Sequence, residues 1–398
     1  MVVNFFRQFP ILPFSILTAM LIIGGCSSFP RTPYTVADAA SSRVLDVTEL
    51  RRYADEPASA FLEDIHVASG PVTYLALSGG GADGAYGAGV LNGWTAAGSR
   101  PRFSVVSGVS TGALIAPFAF LGSAYDATLR DVYTTGIAES LIEAPNVANV
   151  FFRAGLFENT RLRELVARYV DNHMLAAIAA EHATGRDLFI VTTNLDTQRT
   201  VIWDMGRIAA IGSTRALGLF RDVIAASASI PVVFAPVLID AEANGHHFQE
   251  MHADGAVTEP VLTLPEAFLL RNGSLARGSH VNIYVLVNNT VERDFQLVPN
   301  NTIDIATRAA ASVTKTRIRS ILYETFDFAR RNDFAFNLTF IDKNFPSPGL
   351  SGFETNYMRA LYRYGYDKAK SGDLWAKAPP SDGSPPSAPP DRKLPRLQ

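Results

Sequence analysis

An α/β fold, a three-layer sandwich around a mainly parallel central sheet, is predicted by three observations. Tyr74 to Leu77 form a short apolar run that ends in Ser78-Gly79-Gly80-Gly81, and helical periodicity follows from Ala85 to Ala97. Phe103 to Val106 repeat the order: an apolar run, the turn Gly108-Val109-Ser110-Thr111-Gly112, then a helical segment over Thr111 to Leu121. Short apolar runs go on alternating with helical stretches as far as Ser371. Strands that alternate with helices lie side by side in parallel and carry the helices on their faces.

The first 25 residues stand apart. Arg7 supplies a positive start, Ile11 to Ile23 an apolar segment, and Ile23-Gly24-Gly25 precede Cys26. Thirteen apolar-rich residues interrupted by Pro13 fall short of the about 20 that span a bilayer, so residues 1–25 read as an export signal. Residues 26–70 mix Pro, Ser, Ala and charge and are expected to form a tether, with a short helix around Val47 to Ala54.

The folded domain is expected over residues 71–345. Pro117 should kink or shorten the helix after Ser110, whose Phe118, Phe120 and Leu121 are assigned to the core. Asp187 to Thr193 and Thr200 to Trp203 read as strands joined by a polar turn over Leu195 to Gln198. Arg215 to Ala226 is helical until Ile230-Pro231 stops it. A strand over Phe248 to Met251 leads into Ala253-Asp254-Gly255-Ala256, and another covers His280 to Val287. A helix follows over Ile303 to Arg330, and a C-terminal extension over residues 346–377 carries a helix from Phe353 to Ser371. Residues 378–398, rich in Pro and Ser, read as a disordered tail.

Composition narrows the function. With 47% hydrophobic and 18% charged residues, the 398-residue chain can bury one large core. A net charge of -3 and the lack of any long Lys or Arg run exclude the electrostatic footprint of a nucleic-acid binder. Cys26 is the only cysteine, so it forms no intrachain disulfide.

The chemistry centres on Ser110. A serine hydroxyl is a weak nucleophile and must be exposed on a turn, set beside a base, and faced by donors for the oxyanion its attack creates. Gly108 and Gly112 flank Ser110 with small residues, as a strand-to-helix nucleophile turn requires. Gly79, Gly80 and Gly81 follow an earlier strand and offer unhindered N–H groups at a helix start, suited to an oxyanion hole. The run lacks the Gly-Lys-Ser/Thr ending of a phosphate-binding loop and the later acidic residue of a dinucleotide fold. Spacing leaves the base open. None of the seven histidines is marked as a partner, and Asp254 sits in an Asp-Gly dipeptide of the kind that forms turns. A Ser-His-Asp arrangement using His252 or His280 is one alternative, and a catalytically silent binding protein is another. The histidines show no HExxH spacing, and neither metal nor cofactor is expected.

Leu77 to Gly81, the Gly108 to Gly112 turn and Asp254-Gly255-Ala256 together resemble, in that order, the three blocks of the patatin-like phospholipase family. Thr193 to Thr197 and Ala226 to Pro231 are similar to further stretches of that family, and the resemblance spans Val72 to Ile341. It implies a Ser-Asp dyad without histidine: Ser110 as nucleophile, Asp254 as base, and Gly79, Gly80 and Gly81 as the oxyanion loop. It also implies a lipid ester as substrate, cleaved to a fatty acid through an acyl-enzyme. The family loop carries Arg or Lys two residues after the third glycine, whereas this chain has Asp83. Such a dyad needs a buried Asp254, because an unperturbed aspartate of pKa about 3.9 is a poor base for a hydroxyl. Ile23 to Cys26 resembles the bacterial lipobox, which implies that Cys26 is lipidated and anchors the protein to a membrane. Ser27 after it is similar to lipoproteins sorted to the periplasmic face of the Gram-negative outer membrane.

Overall fold

The computed structural model describes residues 31–62, 71–141, 155–157, 160–265, 269, 280–295, 297–346 and 353–380. Residues 1–25, read above as an export signal, Cys26 and residues 381–398 of the Pro-rich stretch lie outside them. The elements begin with α1 (Val36–Ala40), β1 (Arg51–Tyr53), α2 (Ala58–Leu62), β2 (Val72–Leu77), α3 (Gly84–Ala96), β3 (Val105–Val109), α4 (Thr111–Leu121) and α5 (Asp126–Thr134). Next come β4 (Gly155–Phe157), α6 (Thr160–Tyr169), α7 (Asn172–His182), β5 (Asp187–Asn194), β6 (Arg199–Asp204), α8 (Met205–Ile211) and α9 (Thr214–Ser227). The chain continues through β7 (Val232–Phe234), β8 (Val237–Ala243), β9 (His246–Asp254), β10 (Val281–Val287), α10 (Thr302–Asn332), β11 (Ala335–Phe340) and α11 (Thr355–Lys370).

Side-chain alternation along β2 sets the layers. Leu75 and Leu77 point into one core cluster and Ala76 into another, because successive side chains of a strand face opposite ways. The first cluster is filled by Tyr86 and Val90 of α3, Ile115 and Phe120 of α4, Phe220 of α9, and Met358 and Leu361 of α11. The second is filled by Ile318, Ile321, Leu322 and Ala329 of α10 against Ile283, Val285 and Val287 of β10. Helices therefore cover both faces of the sheet, as the sequence predicts.

Five strands form the parallel centre in the order β5-β3-β2-β10-β11. Beyond β5 the sheet turns antiparallel through β6 and β1. The far end of β5 pairs with β9, which pairs with β8. Helix starts follow sequence: Asp171, Asp204, Ser213 and Asn301 each accept a backbone N–H as N-caps of α7, α8, α9 and α10.

Four expectations change. Around Val47 to Ala54 the structure has a strand instead of a helix, since Arg51 to Tyr53 pair along the free edge of β6 from Trp203 to Val201. Nor is this segment a free tether: Arg51 is buried in a bidentate pair with Glu250 at 2.5 and 2.8 Å. Helix α4 runs four residues past Pro117, because its buried apolar surface outweighs the one backbone bond a proline removes. The C-terminal helix α11 packs Met358 and Leu361 into the same cluster as α3, so it is continuous with the domain core.

Candidate active site

The register of β5 brings the two key residues together. Val109, the last residue of β3, pairs with Val191, and the next residue of β5, Thr192, pairs with Asp254 at the end of β9. Asp254 thus occupies the lane β3 vacates when the chain turns away at Ser110. The Ser110 hydroxyl donates to Asp254 Oδ2 at 2.6 Å, and both residues are buried, at 4% and 3% exposure. The N–H of Ala256 donates to Asp254 Oδ1 at 2.8 Å, which fixes the carboxylate plane. Burial pushes the Asp254 carboxyl up to about 7, against the opposing pull of the Ser110 and Ala256 hydrogen bonds.

Ser110 has φ 55° and ψ -121°, a backbone conformation that L residues rarely adopt. It is held there by its surroundings. Its N–H donates to the Ser227 hydroxyl at 2.9 Å, and its carbonyl accepts from Ala113 at 2.8 Å in the first turn of α4. The flanking glycines are required by contact: a Cβ on Gly108 would lie 2.4 Å from the Gly112 carbonyl oxygen, and one on Gly112 would lie 2.4 Å from that of Leu77. That is why a serine sits between two glycines here.

The glycine loop lies against this turn. A Cβ on Gly79 would stand 3.2 Å from Ser110 Cβ and 3.4 Å from Ala256 Cβ, so all three sequence blocks meet at that point. The Gly79 N–H is engaged by the Pro260 carbonyl at 2.9 Å, which narrows the expected oxyanion donors to Gly80 and Gly81. The N–H of Thr111, at the start of α4, has no acceptor within its helix and is a third such donor. Asn288 braces the loop: its N–H donates to the Ser78 hydroxyl at 2.8 Å, and its side chain donates to the Ser78 carbonyl at 2.9 Å and accepts from Gly87 at 3.0 Å. Asp83 accepts from the Tyr357 hydroxyl at 2.7 Å, and burial pushes its carboxyl up to about 6.

The alternative bases lie elsewhere. His252 is fully buried with Nδ1 at 2.9 Å from the Thr192 hydroxyl and Nε2 at 3.1 Å from Glu250, so both ring nitrogens are engaged away from Ser110. The backbone carbonyl of His280 accepts from the Val72 N–H at the start of β2, the opposite end of the sheet from Ser110. One group with metal-ligand chemistry occurs among the described residues: His182, Asp187 and Asp204, with ligand atoms within 4.8 Å of one another. Its members already serve protein partners, His182 bridging Asp187 and the Arg186 carbonyl, and Asp204 capping α8. A cavity of about 710 Å³ is lined by Arg199, Thr258, Glu259 and Arg317 among others, and neither Ser110 nor the glycine loop lines it.

Ser227, Asn288 and Tyr357 were not singled out by the sequence. Ser227 alone had a signal, as part of Ala226 to Pro231; Asn288 and Tyr357 reach the site from elements far along the chain.

Residues 75–265 match the family model of the patatin-like phospholipases. No curated protein matches the chain. Among solved structures that resemble it is VipD from Legionella pneumophila, 12% identical, which covers 76% of this chain and 67% of its own, with a TM-score of 0.35.

Proposed function

We propose, for a chain whose residues 75–265 form a patatin-like phospholipase domain, that it hydrolyses fatty-acyl esters of lipids through a Ser110-Asp254 dyad. The family supports lipid acyl hydrolysis in general. The finer reading rests on one observation, the 2.6 Å hydrogen bond from the Ser110 hydroxyl to a buried carboxylate.

In the first half-reaction Ser110 Oγ attacks the ester carbonyl and Asp254 takes the hydroxyl proton. A carboxylate near pKa 7 is far better matched to this than one near 4. Negative charge gathers on the former carbonyl oxygen, where the N–H groups of Gly80, Gly81 and Thr111 can receive it. Collapse of the tetrahedral adduct passes the proton from Asp254 to the leaving alcohol and leaves an acyl-serine. Water, deprotonated by the same carboxylate, then releases the fatty acid and restores Ser110.

The histidine alternative is disfavoured by the engagement of both His252 nitrogens. Delivery to the membrane is part of the proposal: Cys26 carries the lipid anchor and the enzyme works at the periplasmic face of the outer membrane. No helix among the described residues is long and apolar enough to cross a membrane. The deciding assay is hydrolysis of a short-acyl nitrophenyl ester and a phospholipid by wild type, Ser110→Ala and Asp254→Asn. Loss of turnover in both folded variants supports the dyad; full activity in Asp254→Asn rejects it.

A further inference from the structure

The parallel strands end together at the Ser110 side of the sheet, and two features flank the site there. On one flank β10 ends at Val287, Asn288 braces the glycine loop, and the chain then leads to α10. Helix α10 runs from this edge back to the start of β11, which pairs with the beginning of β10. Its first buried side chain among the described residues is Ile318, 16 residues in, so about 24 Å of helix precedes the part that packs into the core and is held by polar contacts of Arg308, Lys315 and Arg317.

Large apolar side chains are exposed on this stretch and on the segment leading into it: Val313 is 70% exposed and Ile305 50% on α10, and Phe295 96% and Leu297 85% before it. Arg308 and Lys315 share one carboxylate, Asp294, at 2.9 and 2.6 Å. Clustered exposure of large apolar side chains marks a contact surface.

On the other flank, Asp196 in the turn after β5 holds the N-terminal arm. It accepts both Arg31 Nη1 and Nη2 at 2.6 Å and the Tyr34 hydroxyl at 2.8 Å, while Tyr34 stacks on Phe248. Only four residues separate Arg31 from Cys26, five Cα–Cα steps that reach at most about 18 Å. β5 and β10 stand three strand spacings apart, about 14 Å, with Ser110 between them.

We propose that this edge is a membrane-docking face: Phe295, Leu297, Ile305 and Val313 enter the interfacial region of a phospholipid bilayer, while the docked arm ties the opposite flank to the same surface through Cys26. This rests on reading Cys26 as lipidated and the substrate as a lipid ester. The short leash argues for a bilayer over a protein, because an anchor that ends within about 18 Å of the docked Arg31 brings lipid to this edge. An acyl chain then passes from the bilayer to Ser110 without crossing open water.

The test uses the full chain reconstituted through its own N-terminal anchor into phosphatidylcholine–phosphatidylglycerol vesicles that carry nitroxide-labelled head groups. An environment-sensitive fluorophore is placed at Phe295→Cys or, as a control at the opposite edge, at Ser99→Cys. The expected result is quenching several-fold stronger at position 295 than at 99. Equal quenching at the two positions overturns the proposal. So does an emission shift at 295 that tracks protein concentration without vesicles, which identifies a second copy as the occupant.

In parallel, Phe295→Asp combined with Leu297→Asp should cut turnover of vesicle phospholipid at least tenfold, since each buried side chain carries about one decade of affinity, and leave turnover of the soluble ester unchanged. A wild type inactive on both substrates would reject the lipolytic reading, and the quenching comparison would still decide the docking face.

Discussion

The Ser110 hydroxyl and the Asp254 carboxylate, 144 residues apart in sequence, are joined by a 2.6 Å hydrogen bond inside a buried site. The contact is made by strand register. β9 pairs with β5 in the lane where β3 stops, so the end of one strand meets the turn that ends the other.

The first prediction concerns pH. Asp254 must be ionised to accept the proton, and burial holds its carboxyl at about 7, so kcat/KM should rise with pH through an inflection near 7. A flat profile from pH 5 to 9 would show that another group is the base.

Stability should move the opposite way. The folded carboxyl lies above its unfolded value of 3.8, so its contribution is fully present below pH 3.8 and is lost as pH rises through about 7. Asp254→Asn, which cannot ionise, should raise the melting temperature at pH 8 more than at pH 5. Calorimetry at the two values checks the sign.

Ser227→Ala removes the acceptor of the Ser110 N–H and leaves a buried donor unsatisfied at a strained residue. A penalty of about 1–3 kcal/mol follows, shared between folding and the geometry of the turn. We expect kcat to fall on the order of tenfold with KM little changed. Steady-state kinetics and thermal melts on the same samples separate the two shares.

Gly112→Ala places a methyl 2.4 Å from the Leu77 carbonyl oxygen and 2.8 Å from that of Ser78, backbone atoms at the heart of the sheet. Overpacking of this kind costs about 1–3 kcal/mol or more. The variant should melt well below wild type and lose turnover, whereas Gly218→Ala, in a helix and with nothing within 4 Å, should keep its activity.

Asp83 stands beside the oxyanion loop, and its carboxyl, raised to about 6, is mostly charged at pH 7.5. Repulsion between like charges then disfavours anionic head groups. Asp83→Asn should raise kcat/KM for phosphatidylglycerol relative to phosphatidylcholine at pH 7.5, and the ratio should converge on that of wild type at pH 5. A ratio unchanged at both pH values rejects this role.

Sequence alone determined the layered α/β architecture, the central parallel strands and the glycine-flanked turn. These follow from local rules: side-chain period, turn chemistry and the steric demands of close backbone approach. It also carried Asp254, though only through a resemblance, since an Asp-Gly dipeptide is locally a turn and nothing near it in the chain marks it as a base. Tertiary structure decided the rest. Whether Arg51 to Tyr53 formed a helix or a strand depended on a free edge of β6 and a buried Glu250 about 200 residues away, which no local window contains. The engagement of Gly79 by Pro260, the bracing of the loop by Asn288 and the raised pKa of Asp254 have the same origin. Hydrogen-bond partners and desolvation are properties of what surrounds a group in space, and that surrounding exists only once distant strands have chosen their register.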